Sequence, residues 1–130
     1  MNEVFEFLMA CGTFYLATEE NGQPRVRPFG AVANYDGALY LVTSNEKQVF
    51  EQLQKNPRAE LCCFKDGKWL RVACTLTKDD RREAKVFMLD AFPHLRSMYS
   101  EDDGKMEVLR MSKAEATFSI FGAAPKTICF

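Results

Sequence analysis

The sequence has no surplus charge of either sign, almost no histidine and no long apolar run, and each shortage closes off a class of protein. Seventeen basic against eighteen acidic side chains leave a formal charge of −1, so the cationic surface that neutralises nucleic-acid phosphates is missing. The longest stretch without a charge runs from Phe7 to Thr18. That is well short of the roughly 18–20 apolar residues a membrane-crossing helix needs. His94 is the only histidine, and with no C-x-x-C or H-x-x-x-H spacing in the chain there is no zinc signature. It follows Pro93 at the end of a helical stretch, which suits a solvated or capping role.

Cys11, Cys62, Cys63, Cys74 and Cys129 are odd in number and sit in apolar surroundings. Small buried thiols are therefore expected instead of a disulfide framework. The opening MNEVFEFLMAC carries acids where a secretory leader carries bases, so a cytoplasmic location is expected. The run Glu101-Asp102-Asp103-Gly104 lacks the alternate spacing of a calcium loop.

What is present is enough apolar surface for a core: 47% of the 130 residues are hydrophobic and 12% aromatic. No repeat or linker divides the chain, and one domain over residues 1–130 is expected. Val4, Leu8 and Cys11 share a helical face, and Gly12 ends that helix. Thr13 to Thr18 reads as a strand, with Asn21-Gly22 at the tip of a hairpin into Pro24 to Tyr35. Pro28 and Gly30 make that second strand irregular. Ala38 to Val42 is a further strand, after which Ser44 or Asn45 can cap a helix from about Glu46 to Lys55.

Ala59 to Phe64 and Trp69 to Leu76 flank Asp66-Gly67, a strong hairpin signal. Asp79 can cap a helix that carries Ala84, Phe87, Met88 and Ala91 inward until Pro93 stops it. Glu107 to Met111 and Ala116 to Phe121 read as two closing strands, with Thr127 to Phe130 as an extension. Strands dominate and helices fall between antiparallel pairs, so the expected class is mainly β, a small antiparallel barrel with peripheral helices.

Two segments suit an anion. Arg25 and Arg27 lie two apart in an extended run, on one face with Cα atoms roughly 6.6 Å apart, and guanidiniums fork onto phosphate or carboxylate. No balancing acid stands beside them in the local sequence. Pro28, Phe29 and Gly30 follow, a missing donor, an aromatic ring and an absent side chain, against which a flat ligand can lie. Thr43-Ser44-Asn45-Glu46-Lys47-Gln48 runs from a strand end into a helix start, where free backbone N–H groups attract negative charge. Thr43 and Ser44 add hydroxyls and Lys47 a point charge, whereas Glu46 opposes an anion. Trp69, the single tryptophan, can stack on a planar ligand or fill an interface.

The ordered segments GTFYLAT (Gly12 to Thr18), GQPRVRPFG (Gly22 to Gly30) and TSNEKQVFEQLQKNPRAEL (Thr43 to Leu61) resemble the pyridoxamine 5′-phosphate oxidase-like family of FMN-binding split barrels. The resemblance implies a six-stranded antiparallel split barrel, a homodimer, and FMN in clefts between the subunits. It gives Arg27 the FMN phosphate, with Arg25 assisting. It sets Pro28, Phe29 and Gly30 along the flavin ring, Thr43 and Ser44 at the strand end beside it, and Lys47 and Gln48 at the phosphate. Trp69 would reach the cleft from the partner subunit.

Val32, Glu46 and the ending GAAPKTICF depart from the vitamin B6 oxidases, so that oxidase reaction is not expected. The short chain is more similar to the nitroimidazole-resistance branch. The implied function is a flavin-dependent oxidoreductase acting on a small planar substrate, with no catalytic residue singled out and only Tyr99 and His94 as candidates. Rival readings are a deazaflavin or haem in the same barrel, a flavin carrier or sensor without turnover, and a flavin-free interaction module.

Overall fold

The structure is a computed structural model that describes Met1 to Phe130. An opening helix α1 (Asn2–Cys11) leads into β1 (Phe14–Glu20), β2 (Gln23–Phe29), β3 (Val32–Tyr35) and β4 (Ala38–Ser44). Helix α2 (Gln48–Lys55) follows, then β5 (Arg58–Lys65), β6 (Lys68–Asp79) and α3 (Arg82–Ala91). A 3-10 helix over Pro93–Ser97, a long β7 (Met106–Ile120) and a short β8 (Lys126–Cys129) complete the chain. No helix is long and apolar enough to cross a membrane.

The strands form one antiparallel sheet of eight in the order β2-β1-β5-β6-β7-β4-β3, with β8 beside β7. Its two end strands, β2 and β3, are consecutive in the chain with only Gly30 and Ala31 between them. The sheet must therefore curl until its ends meet, giving the barrel expected from the sequence. Two strands beyond six arise because the irregular second run breaks at Gly30-Ala31 and because β8 adds to β7. The two closing runs expected at the C-terminal end are instead one strand, β7. It crosses a register shift opposite Ala73/Thr75, with Lys113 at φ 50° absorbing the irregularity.

Alternation along the strands builds two cores. Leu39 and Leu41 of β4, Leu109 and Met111 of β7 and Phe14 and Leu16 of β1 point into the barrel. Ala38 and Tyr40 of β4, with Met106 and Val108 of β7, point outward, where α3 and the 3-10 helix cover them through Ala84, Met88, Leu89 and Leu95. This covering is pinned at the start of α3: Tyr40 donates to Asp79 Oδ2 at 2.7 Å, and Arg81 forks onto Asp79 and reaches Asp36 at 2.9 Å. Asp79 thus holds the backbone N–H of Arg81 and anchors the turn into α3, with no side-chain cap at the helix itself.

The outward face of β1, β2, β5 and β6 has no such cover. Tyr15 (51% exposed), Val26 (67%) and Phe64 (66%) stand on it, and Phe121 (87%) extends it beside Trp69. All five cysteines are free. Cys63 and Cys74 are buried as expected, and burial pushes the Cys74 thiol up to about 12. Cys62 and Cys129 are exposed, because each falls on the outward phase of its strand.

Candidate functional site

A cleft of about 260 Å³ opens at the joint between β2 and β3. It exists because β3 pairs with β4 only as far as Val32 opposite Leu41. Beyond that point β4, from Val42 to Ser44, has no strand on this side, and the chain runs away through Gly30 into β2. One wall is the end of β2 and its exit, Arg27 to Ala31, and the base carries Val42 and Val49. The opposite wall is the 3-10 helix and its exit, with His94, Leu95, Met98 and Tyr99. Lys47 stands at the end shared with a second, open groove formed by Arg25, Val26, Arg27, Lys47, Gln48, Val49 and Gln52.

Arg27 and Arg25 lie opposite Leu16 and Thr18 in the β1–β2 register, so they occupy the inward phase of β2. Arg27 is held by neutral acceptors: Nη1 donates to Leu16 O at 3.2 Å and to Thr18 Oγ1 at 2.7 Å, and Nη2 to Gln52 Oε1 at 2.7 Å. A guanidinium has five N–H donors, so the Nε–H and one Nη2–H remain for a ligand. Burial, and secondarily the neighbouring Arg25, lower the Arg27 pKa. The group nevertheless stays charged at any working pH. No carboxylate pairs with it, whereas Arg25 is balanced by Glu20 at 3.2 Å. The acid missing from the local sequence thus comes from across the hairpin and serves Arg25 only.

The helix start differs from the expected one. Asn45 donates from its backbone to Lys105 O and from Nδ2 to Gly104 O, and Ser44 Oγ accepts from the Glu46 N–H. These ties hold residues 44–46 in a turn against the entry to β7, so α2 begins at Gln48 with Lys47 as N-cap and no side-chain cap. Phe50 is the first residue of α2 whose N–H finds a backbone acceptor, Lys47 O at 3.2 Å. The Gln48 and Val49 N–H groups are left without a backbone acceptor, and both residues line the groove. Glu46 is drawn aside to Lys105 at 3.7 Å, which removes the acid that spoke against an anion here.

Of the residues singled out from the sequence, Arg27, Pro28, Phe29, Gly30 and Lys47 line the cleft, and Arg25 and Gln48 line the adjoining groove. The Phe29 ring packs on Phe14 with centroids 6.1 Å apart, so it is anchored by the core. A side chain at Gly30 would meet only Gly12 O at 3.8 Å. The fold itself does not demand glycine there, and the space belongs to the cleft.

Thr43 and Ser44 do not line it. Strand alternation sends Val42 into the cleft and turns Thr43 to the barrel interior, where its Oγ1 and Glu107 Oε2, on paired positions, are buried without partners. Trp69 is elsewhere, on the uncovered face at the β5–β6 hairpin. The sequence marked His94 and Tyr99 as candidates, but nothing local in PHLRSMY beyond the stop signal of Pro93 shows that the segment forms a wall of the cleft.

The residues fit a flavin mononucleotide. An uncapped helix start, Lys47 and an unbalanced half-buried arginine suit a phosphate, and the slot beyond them, floored by valines and open at Gly30, suits a flat ring.

Comparison with known proteins agrees with this shape. The family model described as pyridoxamine 5′-phosphate oxidase matches residues 1–124. Among curated proteins none matches. Among solved structures, the chain is similar to a NimC/NimA family protein from Clostridium acetobutylicum, at 45% identity over 100% of this chain and 92% of that one, with a TM-score of 0.96. It shares its fold with a FAD-binding protein from Mesorhizobium loti (19% identity, 91% and 94% covered, TM-score 0.67). A heme binding protein from Mycobacterium smegmatis has the same fold (16% identity, 94% and 55% covered, TM-score 0.74). The chain belongs to the pyridoxamine 5′-phosphate oxidase family.

Proposed function

We propose that the protein binds FMN in this cleft and works in the cytoplasm as a homodimeric, flavin-dependent oxidoreductase on a small planar substrate. The observation that carries the reading is the continuity of the two spaces: Arg27 and Lys47 border both the ring-sized slot and the cationic groove at the start of α2. In this reading Arg27, Lys47 and the Gln48 and Val49 N–H groups hold the phosphate. Phe29, Gly30, Ala31 and Val42 flank the ring and exclude water from one side of it. Bound flavin supplies the electron transfer, and the protein supplies binding, orientation and electrostatics.

The homodimer rests on the uncovered face. Tyr15, Val26, Phe64 and Phe121 together make an exposed apolar surface of the kind that marks an interface. A second copy seated there would also bring the partner subunit's Trp69 toward a site that one chain leaves open on its outer side.

The visible spectrum of the purified protein, followed by titration with FMN, tests the cofactor. Flavin absorption with saturable quenching of flavin fluorescence is expected. A colourless protein that takes up no FMN would sink the proposal, and a Soret band would replace FMN by haem. Turnover of an electron acceptor with a reduced nicotinamide separates an enzyme from a flavin carrier.

A further inference from the structure

The two walls of the cleft differ in chemistry, and the proposed FMN site accounts for only one. The β2–α2 side carries Arg27 and Lys47. The 3-10 side carries no permanent charge toward the cleft: its one cation, Arg96, is turned away onto Asp90 at 2.9 Å and Glu101 at 3.2 Å. What it presents instead is His94, Leu95, Met98 and Tyr99.

Leu95 is buried and fixes the segment, while Ser97 Oγ donates to His94 O at 2.8 Å and the Met98 and Tyr99 N–H groups donate to Leu95 O. The His94 ring stands edge-on to Phe92 with centroids 6.1 Å apart. Neither the His94 imidazole nor the Tyr99 hydroxyl has a hydrogen-bond partner within the chain, although the backbone of the segment is tied down. A capping role for His94 is therefore excluded, because its side chain caps nothing.

Resting on the flavin reading above, we propose that this 3-10 wall is the substrate wall. His94 is its proton donor, and the substrate is an uncharged, flat electron acceptor that is protonated on oxygen when reduced, as a quinone is. Arg27 and Lys47 lie on the far side, so apart from the proton that His94 carries and gives up, this wall has no permanent cation to pair with an anionic acceptor. Met98, largely exposed, and Tyr99 offer polarisable and aromatic surface to a flat ring.

The reaction balances as quinone plus reduced nicotinamide plus one proton giving hydroquinone plus oxidised nicotinamide. Two electrons pass by way of the flavin, and each carbonyl oxygen gains a proton. His94 gives one of these and is reprotonated from solvent. The other titratable groups on the cleft are Arg27, Lys47 and Tyr99.

Because His94 is the only histidine, its imidazole Cε1–H resonance is a single line that reports on the site without any turnover. Tetramethyl-1,4-benzoquinone, added to the FMN-loaded protein without nicotinamide, should shift that line saturably. In His94→Gln, FMN affinity should stay within about twofold of the parent, while kcat with this quinone falls by roughly a hundredfold or more, the usual range for loss of a general acid. An unmoved line, or a His94→Gln enzyme that turns over at the parent rate, overturns the proposal while leaving the flavin site standing. Failure of the parent protein to take up FMN overturns both.

Discussion

At the scale of single residues, Arg27 serves two purposes that separate experimentally. Its three hydrogen bonds tie β1, β2 and α2 together through Leu16, Thr18 and Gln52, and its remaining donors face the proposed phosphate. Arg27→Ala should weaken FMN binding by about 1.5–3 kcal/mol, roughly ten- to a hundredfold. It should also lower stability, by about 1 kcal/mol for the lost hydrogen bonds, since Thr18 and Gln52 still pair with each other. Titration and thermal melts read the two effects apart, and unchanged FMN affinity would remove Arg27 from the site.

Asp79 shows a different economy. The hydrogen bond from Arg81, aided by that from Tyr40, holds its carboxyl well below the ordinary 3.8. A depressed folded-state pKa contributes stability that is complete above about pH 4 and drains away as pH falls through the depressed value. Asp79→Asn should therefore cost about 1–3 kcal/mol at neutral pH and flatten the acid limb of a stability-versus-pH curve measured by denaturant melts. An acid limb of unchanged steepness would mean that Asp79 does not supply it.

Among the elements, α2 shows most clearly what local sequence can and cannot encode. Val49 and Leu53, four residues apart, give the helix its inward face, and both are buried. Its start lay two residues later than the capping residues suggested. Ser44 and Asn45 were claimed by a turn against the entry to β7, through Gly104 and Lys105, some sixty residues away in the chain. That competition is tertiary and has no local signal. For the same reason the packing of the 3-10 segment onto the cleft was hidden, although His94 and Tyr99 were named, whereas Asn21-Gly22 and Asp66-Gly67 announced their hairpins within four residues, the first of which brings Glu20 to Arg25.

The late start of α2 can itself be exploited. Lys47 is extended (φ −91°, ψ 146°), a conformation that tolerates a following proline, and proline is well accepted at a first helical position. Gln48→Pro should thus leave the melting temperature nearly unchanged while deleting one N–H from the phosphate groove. FMN affinity should then drop by about 1.5–3 kcal/mol. Calorimetric titration checks the first-turn backbone directly, and equal affinity would remove the Gln48 N–H from the site.

For the whole molecule, the cover over the sheet decides the assembly. One outward face is closed by α3 and the 3-10 helix and the other is left bare at Tyr15, Val26 and Phe64. Phe64→Asp places a charge on that bare face without touching either core. Light scattering should show the parent near twice the monomer mass of 14.8 kDa and the variant at the monomer mass with its fold retained. A monomeric parent would remove the homodimer.

The joint between β2 and β3 also governs how the barrel breathes. Each of these strands is hydrogen-bonded along one side only, and β2 contains Pro24 and Pro28, which offer no amide to a neighbouring strand. The prolines work against zipping the slit shut and against recruiting a strand from another molecule along β2. Amide exchange should therefore be fastest along this slit, in local openings that need not unfold the rest of the sheet. A ligand lodged in it would act as a clasp, slowing exchange on two strands that are neighbours in sequence and opposite ends of the sheet.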